Sequence, residues 1–285
     1  MTSSGKISGD NSAVSRANKA LLYLVVIGFC AFTTFPFVWM LLASVKPLEE
    51  IFGRNFLPIN PTLENFKNLF TQMNALRAFF NSAFIAVTST ALSVLFCSLG
   101  GFGFSKYNFK GKSFLFSLMI GTMTIPFVVG LVPTFIMMRN TFHWIDTPLP
   151  LIVPGLANAF GIYFMRQYMD GVPNELLEAA RIDGANEITI FWRVVTPVVV
   201  PAMASLGIIF FMASWNNFLW PSIVLRTPDN FTLPVMIASL QGSAGRTPYD
   251  LMMAGSVLSV IPMLIVFFGL QRYFYAGITA GGVKG

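Results

Sequence analysis

Long apolar segments separated by polar ones are the dominant pattern along the chain. Six such segments are each longer than 20 residues, and none carries a charged residue near its middle. An α-helix rises about 1.5 Å per residue, so each segment is long enough to cross a hydrocarbon core of about 30 Å. The pattern predicts an all-α integral membrane protein with six transmembrane helices, at residues 20–44, 80–105, 113–138, 148–169, 196–220 and 251–275.

The composition agrees with a membrane location. Hydrophobic residues make up 55% of the chain and charged residues 11%, and the mean hydropathy is +0.68, whereas a soluble domain carries about 25% charged residues. The first apolar segment is longer than the roughly 7–15 residues of a signal-peptide core, so we expect it to remain as a membrane helix. Residues 1–19 are rich in Ser, Gly and Asn and are predicted to form a disordered cytoplasmic tail.

The distribution of basic residues predicts the orientation. Six spans place both termini on one side, and eleven of the eighteen Lys and Arg residues then lie on that side. The short loop Lys106–Lys112 is strongly basic, which is typical of a cytoplasmic loop. We therefore expect both termini, including a C-terminal tail at 276–285, on the cytoplasmic side of a bacterial or archaeal plasma membrane. The outer loops at 45–79 and 221–250 either form small amphipathic caps for a soluble partner or are plain connectors.

The sequence contains no pattern that is typical of an enzyme. Cys30 and Cys97 lie within apolar segments, and the single histidine, His143, has no Cys or His nearby, so we expect neither a disulfide framework nor a metal site. The stretch Gly111–Ser113 is similar to the end of a phosphate-binding loop, but Lys106 stands where that loop needs its first glycine. The basic residues are scattered between apolar segments, which argues against nucleic-acid binding. We predict no catalytic residue, metal or cofactor for this chain.

The loop at residues 170–196, between the fourth and fifth spans, is predicted to contain two short helices. Pro173 suits the first turn of the first helix, which has a small apolar face and a charged face. Gly184 suits the left-handed conformation that ends a helix. A second short helix is expected over residues 186–195, and Pro197 is expected to begin the fifth span. Such a pair of helices either lies on the bilayer surface or is contacted by another protein.

The same loop contains a specific motif. Glu178-Ala179-Ala180, Gly184 and the stretch 194–197 resemble the EAA loop of ABC importer permeases, which usually have Ile at the position of Val194 and Leu at that of Thr196. The resemblance implies the type I importer permease fold, in which the first short helix is the coupling helix and docks into a groove of a separate ATPase. It implies a role in ATPase coupling for Glu178, Ala179, Ala180, Asp183, Gly184 and Pro197.

Further stretches, in order from about residue 44 to the C-terminus, resemble the carbohydrate-uptake branch of these permeases, the maltose-permease type. The implied permease core covers residues 80–275, and the tail 281–285 either reaches the ATPase interface or is a frayed end. One departure is Phe142-His143-Trp144, where such permeases tend to have a Gly-Leu pair. The stretches that carry the resemblance include Lys46-Pro47, Asn81-Ser82, 181–185, 215–221 and 271–273.

The function and the partners follow from this resemblance. It implies an ATP-driven sugar importer with a second related permease, two ATPase subunits that bind ATP and Mg, and a soluble sugar-binding protein. Amides hydrogen-bond hydroxyls and indoles stack on sugar faces, so the candidates for the substrate pathway are Trp215, Asn216, Asn217 and Trp220, although Trp is also common at membrane interfaces. Two alternatives stay open. One is a secondary carrier or channel, which the absence of charged residues within the spans disfavours; the other is an ABC permease for a non-sugar solute such as glycerol phosphate.

Overall fold

The computed structural model describes the backbone of residues 10–242 and 247–282, and the side chains within 18–241 and 247–269 together with that of residue 271. These residues form helices and connecting turns, without a β-strand among them. In chain order the α-helices are α1 (Asp10–Ser44), α2 (Leu48–Ile51), α3 (Glu64–Gln72), α4 (Ala75–Lys106), α5 (Lys112–Thr122), α6 (Phe127–Asn140), α7 (Leu149–Ile152), α8 (Ala159–Asp170), α9 (Asn174–Ile182), α10 (Glu187–Ile190), α11 (Thr196–Trp215), α12 (Leu219–Val224), α13 (Leu233–Ser239) and α14 (Tyr249–Gly282). Short 3-10 turns occupy Val153–Gly155, Pro228–Asn230 and Leu240–Gly242, and a π-helical turn occupies Phe191–Val195.

The first helix begins earlier than the sequence predicts. Because α1 starts at Asp10, the prediction of a disordered tail is wrong for residues 10–19, and residues 1–9 lie outside the described part of the chain. No Gly or Pro lies between Asp10 and the apolar span Asn18–Ser44. A helix that has already nucleated extends at little cost over residues of this kind.

Within residues 10–242 and 247–282, four helical stretches and two bent helix pairs are long and apolar enough to cross a membrane. The bend between α5 and α6 measures 97° and lies beside Pro126, whereas α7 with its following 3-10 turn meets α8 at 42°. The four continuous stretches are Asn18–Ser44, Ala75–Lys106, Glu187–Trp215 and Tyr249–Gly269. If each bent pair is one span, the total is the six spans that the sequence predicts.

Contacts at the two ends of α4 show that each bent pair runs the length of the bundle. At the Lys106 end of α4, the hydroxyl of Ser105 donates to Asp170, the last residue of α8, at 2.7 Å. The loop between α6 and α7 lies at the opposite, Ala75 end. There Asp146 accepts hydrogen bonds from the loop after α12, and the carbonyl of Asp229 in that loop accepts from Asn81 at 2.9 Å. The pairs α5–α6 and α7–α8 therefore each connect one end of α4 with the other.

Glycines allow α4 and α8 to approach closely. A Cβ added at Gly101 would lie 2.7 Å from Cβ of Met165 and 2.8 Å from the backbone N of Arg166, and one at Gly161 would lie 2.6 Å from Sγ of Cys97. Small residues at helix contacts are typical of packing within a bilayer. The core around this contact combines residues of α4, α8, α9, α10, the π-helical turn and α11, among them Phe102, Met169, Leu177, Ile190, Phe191 and Val195.

The fifth span differs from the prediction at both ends. The helix is continuous from Glu187 to Trp215, so the second short helix expected over 186–195 is the first part of this span. A proline ring clashes with the carbonyl four residues earlier in a regular helix. The wider π-helical turn before Pro197, in which the N–H of Thr196 donates to the carbonyl of Phe191, accommodates that ring within the continuous helix. The span ends at Trp215 rather than at residue 220, and α12 follows as a separate helix.

The loops that the sequence places outside the membrane contain short helices. Loop 45–79 holds α2, α3 and the first turn of α4, and loop 221–250 holds most of α12 and all of α13. α3 is amphipathic: Leu69 is buried and Glu64 is exposed. The surface of the spans is strongly apolar, since Asn18–Ser44 has no buried residue in its most hydrophobic window and α5 has none at all. Such a surface is suited to contact with lipid or with another membrane helix.

Candidate functional site

Helix α9, which carries the EAA-like motif, ends in a turn that requires glycine. The N–H of Gly184 donates to the carbonyl of Arg181 at 3.0 Å, and the N–H of Ala185 donates to the carbonyl of Ala180 at 2.9 Å. This pair of bonds is the Schellman motif, whose turning residue takes the left-handed conformation. Gly184 has a φ of +83°, and Asp183 is the C-cap residue before it.

One face of α9 packs on the bundle and the other is open. Leu177 is 2% exposed and belongs to the core, and Ala180 is half-buried against it. Glu178, Ala179 and Asp183 are exposed. Ile182 is 86% exposed, an unusual position for a large apolar side chain on a helix outside the spans. The exposed face therefore combines a carboxylate, a small residue and an apolar side chain, a composition that suits contact with a second protein.

The Lys106 end of α4 contacts the segment that leads into α9. The ammonium of Lys106 donates to the carbonyl of Val172 at 2.5 Å and to Oδ1 of Asn174 at 3.2 Å. Asn174 is the first residue of α9. The N-terminus of α9 is therefore bonded to the end of a transmembrane helix that lies about 70 residues earlier in sequence.

A second contact fixes the other end of α9. Arg181 donates from Nε to Oε1 of Glu187 at 2.9 Å and from Nη2 to Oε2 at 3.2 Å, and the hydroxyl of Tyr107 donates to the same carboxylate. The hydrogen bond to this carboxylate raises the pKa of the Arg181 guanidinium. Burial, together with the neighbouring carboxylate, raises the pKa of the Tyr107 phenol to about 12. Tyr107 therefore stays neutral and remains a donor at any physiological pH.

The fifth span begins at Glu187, only a short turn after α9 ends at Ile182. The side chain of Asn186 accepts from the N–H of Thr189 at 2.8 Å and caps the helix that begins at Glu187. Pro197 is exposed within the same helix. The hydroxyl oxygen of Thr196, at the position where similar permeases usually have Leu, is buried and has no hydrogen-bond partner within the described residues.

The four candidate pathway residues divide into two pairs. Trp215 is 2% exposed, its indole N–H donates to the carbonyl of Ser259 at 2.9 Å, and its ring packs on Phe211 and Phe79. Trp220 is 6% exposed and donates to the carbonyl of Pro150 at 2.8 Å. The structure therefore places both indoles in the packed interior, with their N–H groups already bonded.

The two asparagines lie at the break between α11 and α12 and are exposed. The side-chain amide of Asn216 donates to the carbonyl of Met212 at 3.0 Å, and its backbone N–H donates to the same carbonyl at 3.1 Å and continues the hydrogen bonding of α11 by one residue. The prediction of a substrate pathway in this region therefore rests on Asn216 and Asn217 rather than on the two tryptophans.

A protein-family model described as "Binding-protein-dependent transport system inner membrane component" matches residues 93–280. The matched stretch includes α9, the fifth span and both candidate pathway asparagines. The chain belongs to this family. The membership confirms the predicted resemblance, and it also confirms that the chain is an inner-membrane component of a transport system.

Curated relatives agree with the family over nearly the full length of the chain. The arabinooligosaccharides transport system permease protein AraQ of Halalkalibacterium halodurans is 39% identical over 278 residues, which cover 95% of this chain and 99% of that protein. The lactose transport system permease protein LacG of Rhizobium radiobacter is 34% identical over 260 residues, which cover 91% of this chain and 94% of that protein. These relatives are permease proteins rather than enzymes.

The fold is also similar to that of a solved transporter. A crystal structure of a bacterial ABC transporter involved in the import of the acidic polysaccharide alginate contains a chain that matches with a TM-score of 0.81, at 24% identity. The match covers 95% of this chain and 100% of that chain. The likeness confirms the predicted fold, an all-α importer permease.

Asp146 holds the loop that contains Phe142-His143-Trp144, the stretch in which this chain departs from the pattern of similar permeases. The sequence alone did not indicate a role for Asp146. The Asp146 carboxylate accepts from the backbone N–H of Arg226 at 2.8 Å and of Thr227 at 3.1 Å, and from the Thr227 hydroxyl at 2.9 Å. Burial opposes ionisation of this carboxyl, but the hydrogen bonds outweigh it and hold its pKa below the ordinary value. Asn230 donates to the backbone carbonyl of Asp146 at 2.7 Å. The partners lie about 80 residues later in sequence, so no local pattern marks them.

The described residues contain neither a candidate metal site nor a disulfide bond. No group of three or more His, Cys, Asp or Glu side chains is placed to hold a metal ion there. Cys97 is buried and Cys30 is exposed on α1. The tail 281–285 is expected either to reach the ATPase interface or to be a frayed end, and its residues 283–285 lie outside the described part of the chain, as does Arg246 of the outer loop.

Proposed function

We propose that this chain is one permease subunit of an ATP-driven importer that translocates a sugar delivered by a soluble binding protein. The family description names a binding-protein-dependent transport system, and the relatives described above are named as permeases for arabinooligosaccharides and for lactose. The proposed assembly contains a second related permease, two separate ATPase subunits that bind ATP and Mg, and the soluble binding protein. Both termini and α9 lie on the cytoplasmic side in this proposal, in agreement with the basic loop Lys106–Lys112.

The observation that carries the proposal is the two-faced arrangement of α9. Its buried face joins the core through Leu177, and its two ends are bonded through Asn174 and Arg181 to the Lys106 end of α4 and the start of the fifth span. Its other face, with Glu178 and Ile182, is free for a partner. A short helix held in this way moves together with the spans and serves as the coupling helix to the ATPase.

Transport by this assembly requires that ATP favour one state of the permease over the other. A ligand shifts a conformational equilibrium only by the difference between its affinities for the two states. In the proposed mechanism ATP closes the ATPase dimer, the ATPases move α9, and the spans change between inward-facing and outward-facing states. In this proposal the coupling involves Glu178, Ala179 and Ala180 on α9, Asp183 and Gly184 in the turn after it, and Pro197 within the fifth span.

The experiment that tests the coupling role compares two charge reversals. We expect Glu178→Lys to lower ATP-dependent uptake in proteoliposomes by about tenfold or more, because reversing a charge in a protein contact costs more than about 1.4 kcal/mol. Glu64→Lys is the control for folding and membrane insertion, since Glu64 is an exposed glutamate in the first turn of a helix outside the coupling region. Cross-linking from a cysteine at Ala179 to the ATPase should identify the partner directly.

Normal uptake by Glu178→Lys, together with no cross-link from Ala179→Cys, would show that α9 is not the coupling helix. A secondary carrier makes a different prediction, since uptake would then follow an ion gradient and would not need ATP. Competition for uptake between arabinooligosaccharides, lactose and glycerol phosphate distinguishes a sugar importer from one for a non-sugar solute.

A further inference from the structure

Helix α4 is the one long helix in the described part of the chain that no proline interrupts. It has 32 residues, so it extends about 48 Å at 1.5 Å per residue. The other described helices of 14 or more residues contain Pro36, Pro133, Pro201 or Pro262. Proline removes a helix hydrogen bond and is the commonest cause of a kink. α4 is therefore the helix best suited to carry a displacement from one end of the bundle to the other.

At its Lys106 end, α4 is bonded to the elements on both sides of α9. Ser105 donates to Asp170 at the end of α8, and Lys106 donates to Asn174 at the start of α9. Tyr107, the residue after α4, donates to the carboxylate that Arg181 of α9 also binds. Three consecutive residues thus contact the end of α8, the first turn of α9 and the carboxylate that the last turn of α9 binds. α4 and α8 also pack closely beside these residues, since a Cβ added at Gly101 would lie 2.8 Å from the backbone N of Arg166.

At its Ala75 end, α4 is bonded to the segment 228–233. Arg77 forms an ion pair with Asp229 at 3.1 Å. The amide of Asn81 donates to the carbonyls of Asp229 and Phe231, at 2.9 and 3.0 Å. The hydroxyl of Ser82, which is 3% exposed, accepts from the N–H of Leu233 at 2.8 Å. One ion pair and three hydrogen bonds therefore attach the segment 228–233 to the Ala75 end of α4.

We infer that α4 transmits the movement of α9 to the segment 228–233, with Tyr107 and Ser82 as positioning residues at its two ends. The inference rests on the proposed role of α9 as the coupling helix. When the ATPase moves α9, the contacts of Ser105, Lys106 and Tyr107 move the Lys106 end of α4. The contacts of Asn81 and Ser82 then change the position of the segment 228–233 at the opposite end.

The test measures the accessibility of two reporter cysteines in the complete transporter, purified with its partner subunits. Arg226→Cys reports on the loop that leads into the segment 228–233, and Ile182→Cys reports on α9; both side chains are exposed. Cys30 is replaced by Ser, and Cys97 is buried and stays. The labelling rate with a membrane-impermeant maleimide is measured with and without a non-hydrolysable ATP analogue.

We expect Tyr107→Phe and Ser82→Ala each to reduce the nucleotide-dependent change in labelling at Arg226→Cys by about fivefold, the lower end of typical coupling between sites. The change at Ile182→Cys should persist in both variants. Tyr163→Phe and Ser239→Ala are the matched controls. The Ser239 hydroxyl donates only within its own helix, and no hydrogen bond of the Tyr163 hydroxyl is found within the described residues. If Ser82→Ala does not fold, Asn81→Ala tests the same end of α4.

The outcomes separate the two proposals. If nucleotide leaves the labelling of Ile182→Cys unchanged in the otherwise unmodified transporter, the coupling role of α9 is wrong. If α9 responds but Arg226→Cys responds equally in the variants and in the controls, the role of α4 is wrong while that of α9 stands.

Discussion

Three residues other than glycine have a positive φ in the described part of the chain, and two of them lie on either side of Trp144 and Ile145. His143 has a φ of +54° and Asp146 a φ of +64°. The left-handed conformation is unfavourable for residues with a Cβ, and Asn and Asp tolerate it best. The bonds that Asp146 forms with the loop after α12 offset this cost. The stretch Phe142-His143-Trp144 thus lies in a loop whose conformation depends on the hydrogen bonds of the Asp146 carboxylate.

Replacing Asp146 tests this dependence. Asp146→Ala loses the acceptor and keeps an unfavourable φ, so we expect it to lower the free energy of unfolding by about 1–2 kcal/mol. Asp146→Asn keeps an acceptor and tolerates the φ, so its loss should be smaller. Apparent melting temperatures of the purified protein in detergent measure both changes. Equal melting temperatures for Asp146→Ala and wild type would show that this loop does not depend on the carboxylate.

The difference in stability between wild type and Asp146→Asn is expected to depend on pH. The folded-state pKa of Asp146 lies below its ordinary value of 3.8, so its stabilisation is fully present above that value and is lost as the pH falls through the folded-state pKa. The stability difference between wild type and Asp146→Asn should therefore be constant near neutral pH and should narrow below pH 3.8.

At the scale of elements, the contact between α4 and α8 determines how the Lys106 end of the bundle is built. Because α8 leads into α9, the distance between α4 and α8 also determines where α9 lies. The run of glycines in α4 indicates close packing from the sequence alone. Only the structure shows which of them makes the contact, because nothing lies within 4 Å of a Cβ added at Gly103.

Gly101→Ala should destabilise the protein, whereas Gly103→Ala should not. The new methyl group at Gly101 meets the backbone of α8 and forces the helices apart, which we expect to cost about 1–3 kcal/mol. The new methyl group at Gly103 has open space and favours the helix. Thermal unfolding of both variants measures the difference. Equal effects of the two substitutions would show that the close contact does not determine the packing.

At the scale of the whole molecule, the two bent helix pairs decide the topology. The 97° bend between α5 and α6 is large enough for a re-entrant loop. The start of α5, however, is bonded to the Lys106 end of α4, because Lys112 donates to the carbonyl of Tyr107 at 2.8 Å, and the loop after α6 lies at the Ala75 end. This arrangement favours six crossings over four. Even with this count, the side on which α9 lies depends on the distribution of basic residues.

Cysteine labelling in intact and inverted vesicles tests the six crossings. In a Cys30→Ser background, cysteines at Lys110 and at Phe142 should react from opposite sides of the membrane, because the pair α5–α6 separates them. A cysteine at Asp183, in the turn after α9, is the control and should react from the same side as Lys110. Reaction of Lys110→Cys and Phe142→Cys from one side would identify α5–α6 as a re-entrant pair.

The sequence by itself determined the class of protein, the approximate places of the spans and the motif at α9. These depend on local properties: the length of an apolar segment, the turn that Gly184 requires, and residues close together in the chain. The tertiary structure alone decided the continuous fifth span, the buried positions of Trp215 and Trp220, and the contacts at the two ends of α4. Those features depend on residues that lie up to 151 positions apart, such as Ser82 and Leu233. Their packing depends on the position of the whole backbone, which no local pattern specifies.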